Sequence, residues 1–150
     1  ALAVLWSAGL VVAARRGERS LANDALLVAQ AVAAVPLAVA VVAGPAALVT
    51  TMGAATAQCT GAVALFLAGS VLHVKALLRR AGSRAFRRLA VGWHVLALIV
   101  ATLTSVGWVL AFGPALVRSA AMRPGLRPAV IGAVEAVVSV LVVLAAQVVL

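Results

Sequence analysis

Tyrosine is missing from this sequence, cysteine occurs once, and only three of 150 residues are acidic. A lone cysteine, Cys59, can make neither an intrachain disulfide nor a cysteine metal cluster, and within its apolar run it reads as a small packing residue. Absent too are a Walker A loop, a GxSxG elbow, an HExxH helix and a GxGxxG turn after a strand, so soluble-type catalysis has no support. Charge itself is scarce: 10% of residues are charged and 66% are hydrophobic, with a mean hydropathy of +1.24. A soluble chain of this size exposes most of its residues and cannot hide that much apolar surface. The medium around much of the chain is therefore hydrocarbon.

What charge there is comes mostly as Lys and Arg, confined to three places. Arg15, Arg16 and Arg19 form one cluster. Lys75, Arg79, Arg80, Arg84, Arg87 and Arg88 form the second, and Arg118, Arg123 and Arg127 the third. Basic clusters between apolar runs are the signature of loops retained on the cytoplasmic side. Nucleic acid is not an expected partner, because no soluble module carries a basic face with interleaved aromatics. The expected partner is a lipid bilayer, crossed several times.

The apolar runs predict an all-α, polytopic transmembrane helical bundle over residues 1–150, read as one domain. The expected spans are 1–14 (partial), 25–43, 46–78, 89–112 and 129–150. Ala1–Ala14 is too short to cross alone, since a crossing needs about 20 residues. No basic segment precedes it and Arg15–Arg16 follow it, so it reads as the end of a truncated span rather than a signal core. Pro36 predicts a kink in the second span, and Gly53 and Gly61 are places where the long third span could break. Gly113–Pro114 is expected to end the fourth, with Trp93 and Trp108 near its two interfaces. Strict alternation then leaves nine basic residues on one side and the three of the 113–128 connector on the other. A re-entrant excursion around Gly113–Leu126 would relieve that conflict.

Helical spacing marks which faces pack inward. Small and polar residues recur at three- and four-residue steps: Asn23, Leu27, Gln30, Ala34 and Ala38; Thr51, Ala55, Gln58, Ala62, Leu65, Gly69 and His73; His94, Ala97, Ala101, Thr104 and Trp108; Gly132, Glu135, Ser139, Val142 and Ala146. Lipid gives helices no hydrophobic drive to associate, so such stripes mark helix–helix contacts. A bundle with a modestly polar interior follows, able to bind a small molecule, a lipid or a proton.

Glu135 is the most informative residue, about 10 Å inside the last span by helical rise. A carboxylate there is expensive unless protonated, paired or hydrated, and so marks a proton relay, a ligand or a cation partner. His73 and His94 flank the central basic loop at similar depth. The favoured reading is interfacial histidines meeting carbonyls or headgroups; a two-His metal or haem site is the alternative, without the further ligands that would make it strong, and no cofactor is expected. Lys75 and the arginines after it suit a phosphate or carboxylate headgroup. Asn23 and Asp24 sit where they would cap the second span and would add to a polar mouth with His73, Lys75 and His94. The candidate ligand-binding set is thus Asn23, Asp24, His73, Lys75, His94 and Glu135. Whether it is a site turns on Glu135 approaching the histidines within about 6–8 Å, where charges perturb one another.

ERSLANDALL (Glu18–Leu27), LFLAGSVLHVKALLRRAGS (Leu65–Ser83), Trp93–His94 and RPAVIGAVEAVVS (Arg127–Ser139) resemble the YwiC-like bacterial integral membrane proteins. The resemblance covers most of the chain, its most specific part being the small–Gly–Ser–Val–Leu–His–Val–Lys run with its basic tail. It implies a polytopic membrane protein without an assigned reaction, and an N-terminal NQHGAW-like segment that is not in this sequence. The look is loosely similar to UbiA-type prenyltransferases as well, which would imply a membrane enzyme acting on an isoprenoid or lipid headgroup. Those enzymes hold magnesium and diphosphate with NDxxDxxxD, and here Asn23–Asp24 is followed by ALLVAQ, without the later aspartates. A transporter or channel subunit with Glu135 on its path is the third expectation.

Overall fold

The computed structural model describes Ser7, Val11 and residues 21–149, with only the backbone of Thr51 and Met52. The expected partial span at 1–14, apart from Ser7 and Val11, and the Arg15–Arg19 cluster lie outside the described residues. Five α-helices account for nearly all of the rest: α1 (Leu21–Ala43), α2 (Thr51–Leu78), α3 (Arg84–Thr104), α4 (Val109–Ala121) and α5 (Pro128–Val149). Short 3₁₀ segments at Pro45–Val49 and Val106–Trp108 introduce α2 and α4. Among the described residues there is no strand. All of α1, α3 and α5, and α2 from Gly53 onward, are long and apolar enough to cross a membrane. The chain is a multi-pass, all-helical membrane protein.

By their contacts the residues fall into two compact units, 1–64 and 65–150, with the boundary inside α2. In the first unit, α1 begins at Leu21, four residues before the expected start, and continues through Pro36. Asn23 and Asp24 therefore lie in its first turn rather than ahead of it, where an acid still favours the positive end of the helix dipole. Gly44 closes α1 with φ +82°, a backbone state open to glycine at little cost. Pro45 then starts the 3₁₀ turn, and the Thr50 hydroxyl donates to the Ala47 carbonyl at 2.9 Å. Neither Gly53 nor Gly61 breaks α2, which is continuous over 28 residues. Gly53 instead makes room for the preceding turn, because a Cβ there would collide with the Leu48 carbonyl.

In the second unit, Ser83 caps α3 by accepting from the Phe86 amide at 3.2 Å. Arg84, Arg87 and Arg88 thus ride on the first turns of a helix rather than in a loop. The larger departure lies at the other end of α3. The expected stop at Gly113–Pro114 is not used, because the helix ends at Thr104 and both residues sit inside α4. Ser105 is extended, and its hydroxyl accepts from the Gly107 amide at 3.4 Å. That local bond competes with the helical ladder. Within an apolar bundle Gly–Pro is a weak stop, since neighbouring helices can satisfy the freed carbonyl.

The break reverses the chain. Arg87, near the start of α3, donates from Nη2 to the carbonyl of Ala120, near the end of α4, at 3.0 Å. Helices α3 and α4 therefore run antiparallel. A Cβ on Gly107 would lie 2.6 Å from Cγ2 of Val149, so the end of α5 returns to the Ser105 turn. The 113–128 connector is corrected accordingly. Arg118, Arg123 and Arg127 share one end of this unit with Lys75–Arg88, because the chain doubles back at Ser105 and adds a short pass that strict alternation omits. The extra pass, Val106–Ala121, measures about 24 Å by helical rise, less than the roughly 30 Å of a hydrocarbon layer.

Alanine makes the packing close. Ala90, Ala97 and Ala101 on α3, Ala111 and Ala115 on α4 and Ala145 on α5 are all buried, and small residues let membrane helices approach. Trp108 is also fully buried, edge-on to Phe112 with ring centroids 6.1 Å apart. It is a core residue, not the interfacial anchor expected. The outward faces carry Leu96, Ile99, Leu103, Val137 and Val143, all exposed, as a lipid-facing surface requires. On α5 the buried residues are Ile131, Val138, Val142 and Ala145. Of the expected Gly132–Glu135–Ser139–Val142–Ala146 line, Val142 is buried, Glu135 and Ala146 are half-buried, and Gly132 and Ser139 are exposed, so the packed face is rotated by part of a turn.

A buried His–Arg–Glu–His centre

Four side chains from four helices meet near the basic end of the second unit. His73 comes from α2, His94 from α3, Arg118 from α4 and Glu135 from α5. The first three are almost wholly buried, at 2%, 2% and 5% exposure, while the Glu135 side chain is 17% exposed.

Arg118 is the hub. Its Nη1 stands 2.5 Å from Oε2 of Glu135, and its Nη2 lies 3.1 Å from Nε2 of His94. A guanidinium has donors only, so Nε2 of His94 must accept. The ring proton then sits on Nδ1, which lies 2.7 Å from the Ala90 carbonyl and donates to it. One backbone carbonyl thereby fixes the tautomer that lets His94 receive Arg118. Phe66 lies beneath the guanidinium, its ring centroid 6.0 Å from Cζ, at the outer limit of a cation–π contact.

His73 completes the group. Its ring stands edge-on to His94, centroids 6.2 Å apart, and its Nε2 is 3.9 Å from Oε1 of Glu135. That is too long for a hydrogen bond. Neither atom has a hydrogen-bond partner among the described residues. Buried polar atoms are rarely left so, because an unmade bond costs about 1–3 kcal/mol. The carboxylate thus serves a fixed cation through one oxygen and faces a titratable ring with the other.

Close helix approach holds the geometry. A Cβ on Gly69 would lie 3.0 Å from both Nε2 of His94 and Cδ1 of Trp93, so a larger residue there would press on both rings. Trp93 locks the same crossing by donating from Nε1 to the Leu65 carbonyl at 3.0 Å.

Of the residues expected from sequence, His73, His94 and Glu135 come together here. Lys75 is buried as well, but two positions along α2 place it about 200° around the helix from His73. Asn23 and Asp24 belong to the first unit, and the centre is built wholly from the second. Arg118 and Phe66 are not among the expected residues. Arg118 does carry a signal in the sequence: with Trp108, Ala111 and Ala115 it continues a three- and four-residue stripe, masked by reading Gly113–Pro114 as a stop.

The described residues include no group of three or more His, Cys, Asp or Glu placed to hold a metal ion. Comparison with protein-family models, with curated proteins and with solved structures finds no match. Fold and centre define a multi-pass membrane protein with an ion-paired polar core.

Proposed function

We propose that this is a multi-pass protein of a bacterial inner membrane, of the YwiC-like kind, whose second unit carries a proton-exchanging polar centre. The observation that carries the reading is the His73–Glu135 approach: 3.9 Å, with neither facing atom otherwise bonded. A proton on the ring would turn this gap into a charge-assisted hydrogen bond after a small rotation. A proton on the carboxyl would loosen Arg118 instead. Either event redistributes charge among four helices in a low-dielectric interior, where such changes are felt strongly. The same donor and acceptor would serve a small polar ligand. Intramembrane acids and histidines are the ordinary parts of such relays.

Infrared difference spectroscopy across about pH 4 to 9, the range that brackets ordinary carboxyl and imidazole titration, tests this on the full chain in nanodiscs. The expected result is a carboxyl conversion that disappears in Glu135→Gln, moves in His73→Gln and stays put in Arg123→Gln. A Glu135 signal indifferent to His73→Gln overturns the reading.

A transport version has its own observation: Glu135 reaches the surface of the unit while His73 does not, as a stepwise route from outside to inside requires. Proton flux into proteoliposomes should then vanish in Glu135→Gln. Flux that persists at the wild-type rate removes the transport version and leaves the proton-binding one standing.

A further inference from the structure

The basic end of α3 holds a cavity of about 470 Å³ lined by Arg84, Arg87, Arg88, Val91 and Gly92. Its composition changes along the helix axis. All five lie on α3: three arginines occupy its first turns, and Val91 and Gly92 follow one to two turns farther along the helix, toward the exposed Val95, Leu96 and Ile99. We infer that this cavity binds an anionic glycerophospholipid of the surrounding bilayer, its phosphodiester held by the arginines and the start of an acyl chain laid over Val91 and Gly92.

Three observations support that occupant. The first is charge. Residues 65–150 contain nine basic residues and one acid, Glu135, and that acid is paired with Arg118 inside the bundle. Nothing acidic in this unit competes for Arg84 and Arg88, both exposed. The second is pre-organisation. Arg87 spends Nη2 on the Ala120 carbonyl, which pins its guanidinium at the α3–α4 junction. Ser83 meanwhile caps the helix on which all three arginines ride. A planar donor fork held in place loses less freedom on meeting phosphate than a free one. The third is the floor. A Cβ built on Gly92 meets nothing within 4 Å, so the glycine is not demanded by helix packing. It leaves room beside Val91.

That floor also selects the source of the phosphate. A free inorganic anion would meet the arginines and gain nothing from Val91 and Gly92, whereas a lipid engages both halves. Its volume falls within the range of ordinary ligand cavities. A headgroup held by both the arginines and the apolar positions beside them gains contacts beyond the diffuse pull of a basic surface. This inference depends on the membrane reading but not on proton exchange at His73 and Glu135, which are not among the lining residues.

Native mass spectrometry of the full chain, released from nanodiscs of phosphatidylcholine with a minor share of phosphatidylglycerol, provides the test. The wild type should retain phosphatidylglycerol preferentially. Arg84→Gln/Arg88→Gln should cut that retention at least about tenfold more than Arg123→Gln/Arg127→Gln, which removes the same charge from the neighbouring connector; diffuse attraction alone predicts a similar loss of about fivefold per arginine in both pairs. Gly92→Leu should lower retention about tenfold with no change in charge, and excess inorganic phosphate should fail to displace the lipid. Equal losses from the two arginine pairs, full retention in Gly92→Leu, or displacement by inorganic phosphate would each overturn the assignment.

Discussion

Helices α1 and α5 are near twins by composition. They are 23 and 22 residues long, and both reach a mean hydropathy of 2.5. Yet α1 has no buried residue, while α5 buries Ile131, Val138, Val142 and Ala145 and delivers Glu135 to the centre. Hydropathy thus says that a helix suits lipid and says nothing of what it touches. Each holds one acid, Asp24 in the first turn of α1 and Glu135 two turns inside α5; what separates them is the place of that acid and a stripe of close-packed side chains on α5. Lipid solvates Val and Leu as well as a protein core does, so packing and polar contacts alone choose between the faces.

The largest effect expected is on the pair that α1 lacks. Glu135→Ala leaves Arg118 buried without its counter-ion, which should destabilise the second unit by about 3–5 kcal/mol. Arg118→Met/Glu135→Met removes both charges and should regain most of that loss. Reversible unfolding in mixed micelles reads both, and a double variant as unstable as the single one breaks the argument that the pair compensates itself. Val41→Ala on α1, at 76% exposure, should change stability by less than about 0.5 kcal/mol. Ile131→Ala on α5, at 2% exposure, opens a cavity and should cost about 2–4 kcal/mol. Equal effects from these two would erase the contrast between the helices.

Much of this fold was legible because composition and period act over whole segments. The all-helical class, four long apolar helices and the inward stripe His94–Ala97–Ala101 on α3 need only the 3.6-residue repeat and the absence of charge. The convergence of His73, His94 and Glu135 was legible only as a question, since the two histidines fall at similar depth while strict alternation starts the last span from the opposite side. Arg118 was not, for a local reason. Gly113–Pro114 is a strong stop in water and a weak one inside a bundle, while Ser105, an ordinary residue by propensity, makes the actual break through its own hydroxyl. One misread boundary moved a buried arginine into a connector and sent three basic residues to the wrong end. Trp108 was misplaced by the same error, because the end of a helix in water-facing logic became the middle of a tightly packed turn.

The smallest effect sharpens the comparison within a single helix. Gly61 and Gly69 are eight residues apart on α2, one in each unit. A Cβ on Gly61 meets nothing within 4 Å, while one on Gly69 meets His94 and Trp93 at 3.0 Å. Gly61→Ala should therefore be neutral or stabilising by up to about 1 kcal/mol, through the lower chain entropy of the unfolded state. Gly69→Ala gains the same entropy but must push two rings aside, and overpacking of this kind typically costs about 1–3 kcal/mol. The sign of the change, more than its size, separates an open helix face from one pressed against its neighbours. Gly69→Ala should also disturb the His94–Arg118 contact, visible as a shift in the histidine ring resonances that Gly61→Ala leaves alone. If both variants stabilise the protein alike, α2 does not press on His94 at Gly69, and the close crossing that holds the centre together is lost from the argument.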